Sequence, residues 1–399
     1  MSLANGRSYL AIPGPSVMPD AVLRAMHRAA PNIYEGELVD MAPGLVRDLK
    51  AVARSRGHCA IYIANGHGAW EAALINVLRS GDKVLVPATG RFGHGWAGVA
   101  GALGADVEIM EFGRRSPIDA GRLAERLRAD ARHEIRAVMA VHVDTATSVR
   151  SDVAALRRAL DDTGHPALLM VDCIASLGAD RFEMDAWGAD VMVTGSQKGL
   201  MTPPGLGVVF FNDRAAEARR RADRVTPYWD WTPRSDPQEF YQFFAGTAPT
   251  HHLFALRAAL DMILDEGVEQ VWARHATLAR AVWAAVDAWG DGGAAALNVP
   301  DPAWRSHAVT AARLTGGGGT GLREWLTRNA GVTLGIGLGM ADSDDPTRHD
   351  YFRIGHMGHV NAHMVLGVLS AMQAGMDALQ IPRGSGALDA AAAVCAAAT

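Results

Sequence analysis

Residues 59–105 read CAIYIANGHGAWEAALINVLRSGDKVLVPATGRFGHGWAGVAGALGA. Two short apolar runs, CAIYIA and KVLVPA, are each followed by a stretch whose apolar residues recur at helical spacing. Side chains alternate across a strand with period two and return to one helix face about every 3.6 residues, so the two patterns separate cleanly. Downstream, RAVMAVH and SDVAALRRALDDTG repeat the pairing, and the runs ALLMVD, DVMVTG and GVVFF carry it to Phe211. Strands this apolar must be covered on both faces. The pattern predicts an α/β fold with a mostly parallel sheet sandwiched by helices.

At 399 residues the chain exceeds one ordinary domain, since domains run roughly 100–200 residues. Beyond about Thr250 the pattern shifts to long helical segments, LFALRAALDMILDEG and VEQVWARHATLARAVWAAVDAWG, able to bridge into a second domain. Strand candidates at HAVTAARL and YFRIGHM then flank the helix-like GLREWLTRNAG, after a Gly-rich turn at GDGGAAALNVPDP. The expected division is an N-terminal arm over residues 1–20, a large domain over 21–265 and a smaller α+β C-terminal domain over 266–399. The Ala-rich tail after Gly384 reads as a frayed helix or a disordered end.

Composition excludes several classes of function. With 49% hydrophobic residues, 20% charged residues and a net charge of −5, the chain reads as a soluble globular protein without a basic surface for nucleic acid or anionic lipid. No apolar run approaches membrane-spanning length, and Pro13 and Pro15 interrupt the N-terminus before a signal peptide can form. Cys59, Cys173 and Cys395 lie far apart, which argues against disulfides and a zinc cluster and suits a cytoplasmic enzyme. Lysine is scarce: among 38 basic residues only Lys50, Lys83 and Lys198 carry a primary amine. Chemistry that needs an amine nucleophile therefore has few places to occur.

Lys198 lies just past the apolar run VMVTG, in the loop SQKGLMTPPG. In open α/β sheets ligands bind outside the carboxyl ends of the strands, where this lysine is expected. Asp172 ends the run ALLMVD, and a buried carboxylate there requires a cationic partner, either an arginine or a protonated heterocycle. At Asn65–Gly66–His67 a strand turns into a helix, and the free N–H groups of a helix start can hold a phosphate. Taken alone, that turn is a common one.

These motifs, together with IPGPS near the N-terminus and RIGHMG near the C-terminus, resemble the fold-type-I pyridoxal-phosphate aminotransferases over nearly the whole chain. The particular likeness is to the alanine–, serine– and aspartate–glyoxylate aminotransferase group. It implies a seven-stranded sheet in the large domain and pyridoxal 5′-phosphate as cofactor. It further implies Lys198 as the Schiff-base lysine and Asp172 as the partner of the pyridine nitrogen. Phe92 corresponds to the aromatic that stacks on the ring, Ile174 to the residue on its other face, and Thr145 to a hydroxyl near the ring oxygen. Asn65, Gly66, His67 and Gln197 correspond to the phosphate cradle, which Thr247 of a neighbouring subunit completes, implying an obligate homodimer. Arg353 corresponds to the arginine that grips the substrate α-carboxylate through a two-point fork. Pro13, Gly14 and Tyr34 correspond to residues bordering the substrate.

The sequence departs from this group in places. Phe244 stands where several relatives carry a phosphate-binding Tyr, NIYEGEL replaces a His-Arg segment, and WDWTPR is rich in aromatics; the last two are expected to border the substrate. His356, His359 and His363 have suggestive spacing but no Cys or Glu to complete a zinc site, so no metal is expected. The implied activity is ping-pong transfer of an amino group from a small amino acid to a 2-oxo acid, glyoxylate or pyruvate. Two alternatives stay open: a pyridoxamine–pyruvate aminotransferase, and a non-enzymatic cofactor-binding sensor.

Overall fold

The computed structural model describes residues 3–398. A short first strand, β1 (Tyr9–Ala11), precedes β2 (His58–Ala64), β3 (Lys83–Ala88), β4 (Asp106–Glu111) and β5 (Ile135–Val141). A small ribbon of β6 (Val143–Asp144) and β7 (Val149–Arg150) leads to β8 (Leu168–Asp172), β9 (Val191–Gly195) and β10 (Gly205–Phe211). Seven of these strands form the large sheet in the order β2-β10-β9-β8-β5-β3-β4, in which β10 alone runs against its neighbours. The expected mostly parallel sheet is therefore present. Strand β4 sits at the open edge with a half-exposed, alternating pattern, DVEIME.

The strand period divides the large sheet into two buried faces. Ile61, Val138, Leu169 and Val171 pack into one apolar layer, while Tyr62, Met139, Leu168 and Met170 pack into the other. Burying each such side chain contributes about 1.5–3 kcal/mol, and a slip of one residue would exchange the two sets. The register that fills both layers also fixes which residues emerge at the strand ends.

A second sheet has the order β1-β13-β14-β12-β11, using β11 (Ala295–Leu297), β12 (Val309–Leu314), β13 (Val332–Ile336) and β14 (Tyr351–Gly355). The N-terminal arm joins it through β1, parallel to β13 with Tyr9 opposite Val332. Helix Val268–Gly290 belongs to both cores: Val271 and Trp272 pack with the large sheet, and Leu278 and Val282 with the small one. The Ala-rich tail differs from the expectation of a frayed or disordered end. It forms helix Ala387–Ala396, which buries Ala387 and Ala391 in the small core. Among the described residues no helix is long and apolar enough to cross a membrane.

Candidate active site

Asp172 closes β8, and Lys198 follows the neighbouring strand β9 by three residues. Asn65 follows β2 and caps helix Gly66–Val77, while Phe92 lies in the first turn of helix Arg91–Ala102 after β3. All four emerge where an open α/β sheet places its ligands.

Lys198 is enclosed by the N-terminal arm. Its Nζ donates to the Pro13 carbonyl, Ser16 Oγ donates to the Lys198 carbonyl at 2.7 Å, and Ser16 N donates to the Gln197 carbonyl at 2.9 Å. Gly14 has φ +91°, and a Cβ there would lie 2.5 Å from Lys198 Cδ. Only glycine adopts that backbone freely and leaves room for the lysine stem. Burial, reinforced by the positive charge of Arg353, lowers the Lys198 pKa from the usual 10.5 to about 8; Asp172 opposes the shift. The amine is thus near the protonation balance that a nucleophile or proton carrier needs at neutral pH.

Asp172 is buried, and both carboxylate oxygens are engaged: Oδ1 accepts from Ile174 N at 2.7 Å, and Oδ2 from Trp70 Nε1 at 2.9 Å. Burial raises its pKa to about 7 against those two hydrogen bonds. No ion pair neutralises it among the described residues.

Arg353 lies in β14 and is 7% exposed. Its Nε donates to the Ile336 carbonyl at 2.7 Å and its Nη1 to the Thr145 carbonyl at 2.8 Å, so the guanidinium is fixed between β13 and the turn after β6. Nη2 makes no hydrogen bond among the described residues, and no salt bridge reaches the group. Burial lowers its pKa to about 10, so it remains charged at neutral pH. Thr145 and Arg353, both singled out from the sequence, are therefore direct partners.

Two residues that the sequence reading passed over organise the rest. Buried Asp144 accepts from Phe92 N at 2.8 Å through Oδ2 and from Ala146 N at 2.8 Å through Oδ1, tying the Phe92 helix to the Thr145 turn. Trp70 holds Asp172 and meets the rings of His67 and Phe92 edge-on at 4.6 and 6.3 Å. The Asp144–Thr145 pair at the end of β6 and the tryptophan one helical turn past the Asn65 cap were the only local signals. A cleft of about 790 Å³ opens beside them, walled by His67, Trp70, Arg91, Phe92, Arg114 and, past β13, Gly339, Ala341, Asp342 and Ser343. Lys198 is not on its wall.

The other residues singled out from the sequence stand in varied settings. Asn65 Oδ1 already accepts from His67 N and Gly68 N at 3.0 and 3.2 Å, so the helix start is partly filled by its own cap. Tyr34 is 87% exposed on the turn before helix Glu37–Ala53, and Thr247 is also exposed; within one chain neither joins the site. Phe244 is buried among Phe240 and Phe243. WDWTPR is absorbed by packing: Trp231 stacks on Phe211 at 4.0 Å, Asp230 pairs with Arg219, and Arg234 lies over the Tyr62 ring. Much of that segment's polarity and aromaticity is spent on the fold rather than on a substrate wall. His356 is buried between Thr310 Oγ1 and the His307 carbonyl, each at 2.9 Å.

The remaining residues fit pyridoxal 5′-phosphate. A carboxylate buried without a cation suits a protonated ring nitrogen, and the amine of Lys198 suits the aldehyde. A Cβ on Gly66 would strike the Ile174 side chain, so the residues expected at the phosphate and at the ring adjoin each other. Gln197 Oε1 is buried with no hydrogen-bond partner. Because the two ends of an amide are nearly isosteric, a flip offers a donor to an anion there.

The Aminotransferase class-V model matches residues 39–341. The chain is 37% identical over 389 residues to a serine–glyoxylate aminotransferase of Methylorubrum extorquens, spanning 96% of this chain and 94% of that protein. It is 37% identical over 377 residues to an L-aspartate–glyoxylate aminotransferase of Paracoccus denitrificans, spanning 93% and 91%. Among solved structures it resembles pyridoxamine–pyruvate aminotransferase from Mesorhizobium loti with a TM-score of 0.87, at 26% identity and over 100% of both chains. A family match across most of the chain, with relatives that share more than a third of its residues almost end to end, makes this protein a member of the class-V aminotransferases, enzymes that depend on pyridoxal 5′-phosphate.

Proposed function

We propose that this aminotransferase moves the amino group of a small amino acid, serine or aspartate, to glyoxylate. One observation carries the reading: the buried guanidinium of Arg353 has no ion pair among the described residues, and its positive charge helps to lower the pKa of the half-buried Lys198. A buried guanidinium without a counter-charge calls for an anion, and the carboxylate common to amino and oxo acids supplies it at Arg353. The choice of donors and acceptor rests on the relatives named above.

When bound, the cofactor supplies an electron-accepting ring that acidifies the substrate Cα–H. Asp172 keeps a proton on the ring nitrogen, and Trp70 and Ile174 hold that carboxylate in place. Lys198 anchors the aldehyde at rest and, once displaced, carries a proton at Nζ to and from the substrate carbon. Arg353, fixed by the Ile336 and Thr145 carbonyls, orients the carboxylate so that the Cα–H faces Lys198. The arm at Pro13 and Gly14 shields the amine from water. Two such subunits form the working unit, in which Thr247 of the partner subunit completes the phosphate site; its exposure in the single chain supports this arrangement.

Purified, cofactor-loaded protein assayed with serine, aspartate and alanine against glyoxylate and pyruvate tests the reading. The expected result is transfer to glyoxylate with serine or aspartate as the better donor. A loaded protein that aminates no oxo acid would overturn it.

A further inference from the structure

Asp180 has an unusual position for a carboxylate. It is 0% exposed, eight residues beyond Asp172 on the same tight turn, and it reaches across to the small domain. Ser306 Oγ donates to its Oδ2 at 2.8 Å, and His307 N donates to its Oδ1 at 2.9 Å. Arg150 Nη1 and His307 Nδ1 stand 3.9 and 3.5 Å from Oδ1, which offsets the cost of burying the charge. Its own backbone is held in the turn, with Asp180 N donating to the Ser176 carbonyl at 2.9 Å. Around it lies a small apolar cluster drawn from both domains, including Ala175 and Ala179 on one side and Ala308 and Met357 on the other.

The segment that Asp180 grips leads to the substrate-binding strand. His356 N donates to the Ala308 carbonyl at 3.0 Å, and the His356 ring is held at 2.9 Å by both the His307 carbonyl and Thr310 Oγ1. Residues 309–313 then pair antiparallel with β14, placing Ala311 opposite Arg353. One continuous set of hydrogen bonds therefore runs from the turn that begins at Asp172 to the strand that carries Arg353.

We propose that Asp180 is a positioning residue for Arg353: by holding Ser306 and His307, it fixes the distance between the carboxylate-binding strand and the cofactor turn. The proposal rests on the reading of Arg353 as the carboxylate-binding residue. Asp180 touches neither substrate nor cofactor. Its effect is confined to substrates that carry a carboxylate, because a small displacement of a two-point grip costs orientation while leaving the reacting amine and the cofactor where they were.

The test uses the cofactor-loaded enzyme with Asp180→Asn, which keeps the shape but weakens the grip. KM for amino acid and oxo acid should rise by roughly tenfold to a hundredfold, as expected for a misplaced orienting group, with a smaller change in kcat. Single-turnover reaction with ethanolamine, which is serine without its carboxylate, should be unchanged, as should the spectrum of the bound cofactor. In an Arg353→Ala background Asp180→Asn should add nothing further. The proposal is overturned if KM is unchanged while Tm falls, if ethanolamine suffers equally, or if the two substitutions multiply. Should Asp180→Asn fail to fold, Ser306→Ala decides the matter in the same assays, with a smaller KM rise expected and the same ethanolamine control. If Arg353→Ala itself leaves KM unchanged, the reading of Arg353 fails; if it raises KM and Asp180→Asn does not, the positioning role alone fails.

Discussion

Trp70 Nε1 donates a 2.9 Å hydrogen bond to Asp172 Oδ2, and both side chains are buried. The indole thus aims the carboxylate that we propose faces the ring nitrogen. A hydrogen bond to a charged group is worth about 1.5–3 kcal/mol, so Trp70→Phe should lower kcat/KM about ten- to a hundredfold. Asp172→Asn should lose more, because a neutral amide cannot keep the nitrogen protonated, while still permitting cofactor attachment at Lys198. Steady-state kinetics and the absorbance of the bound cofactor read both effects. Unchanged rates in Asp172→Asn would exclude the role.

Desolvation of the half-buried amine, with the positive charge of Arg353, lowers the Lys198 pKa to about 8. Only the neutral amine attacks a carbonyl, so cofactor attachment to the apoprotein should accelerate as pH rises through about 8 and level off above it. Arg353→Gln removes a charge that lowers this pKa, and the midpoint should move upward; burial, the larger cause, remains. Stopped-flow absorbance across pH measures it. A midpoint at the ordinary lysine value in the wild type, or one that ignores Arg353, would contradict the geometry.

Gly66 and Ile174 meet so closely that a methyl group at Gly66 would displace the isoleucine. Gly66→Ala should therefore weaken cofactor binding by about tenfold, a cost typical of small-to-large changes at packed sites. Adding Ile174→Ala should restore part of the loss by reopening the space. Equilibrium dialysis of the cofactor decides between this outcome and simple additivity.

Much of the fold was legible because apolar runs such as CAIYIA, ALLMVD and DVMVTG are covered on both faces and bounded by turn residues. Strand β4, with its sequence DVEIME, lacks that signature because it lies at the sheet edge and alternates with water. The tail helix Ala387–Ala396 was obscured because its alanines gain most of their partners from helix Val268–Gly290, far earlier in the chain. In the site, Lys198 and Asp172 stood out as reactive types at strand ends. Trp70, Asp144 and Asp180 did not, since each acts through a neighbour that folding alone supplies.

Thr247 is exposed in the single chain, as a residue serving a neighbouring subunit would be. Mixing Lys198→Ala with Thr247→Ala subunits should yield dimers in which one site carries both defects and the other neither. Activity above either parent is the expected result, read after subunit exchange at fixed total protein. A monomer with full activity at nanomolar concentration would rule out the shared site.

The central claim is that Lys198 holds the cofactor, and the chain's three lysines make it directly testable. Borohydride reduction of the cofactor-loaded enzyme, followed by peptide mass spectrometry, should find the pyridoxyl group on Lys198 alone. Lys198→Ala should carry no label and no transaminase activity while keeping the circular dichroism of the wild type. A label on Lys50 or Lys83, or wild-type transamination in Lys198→Ala, would contradict the account.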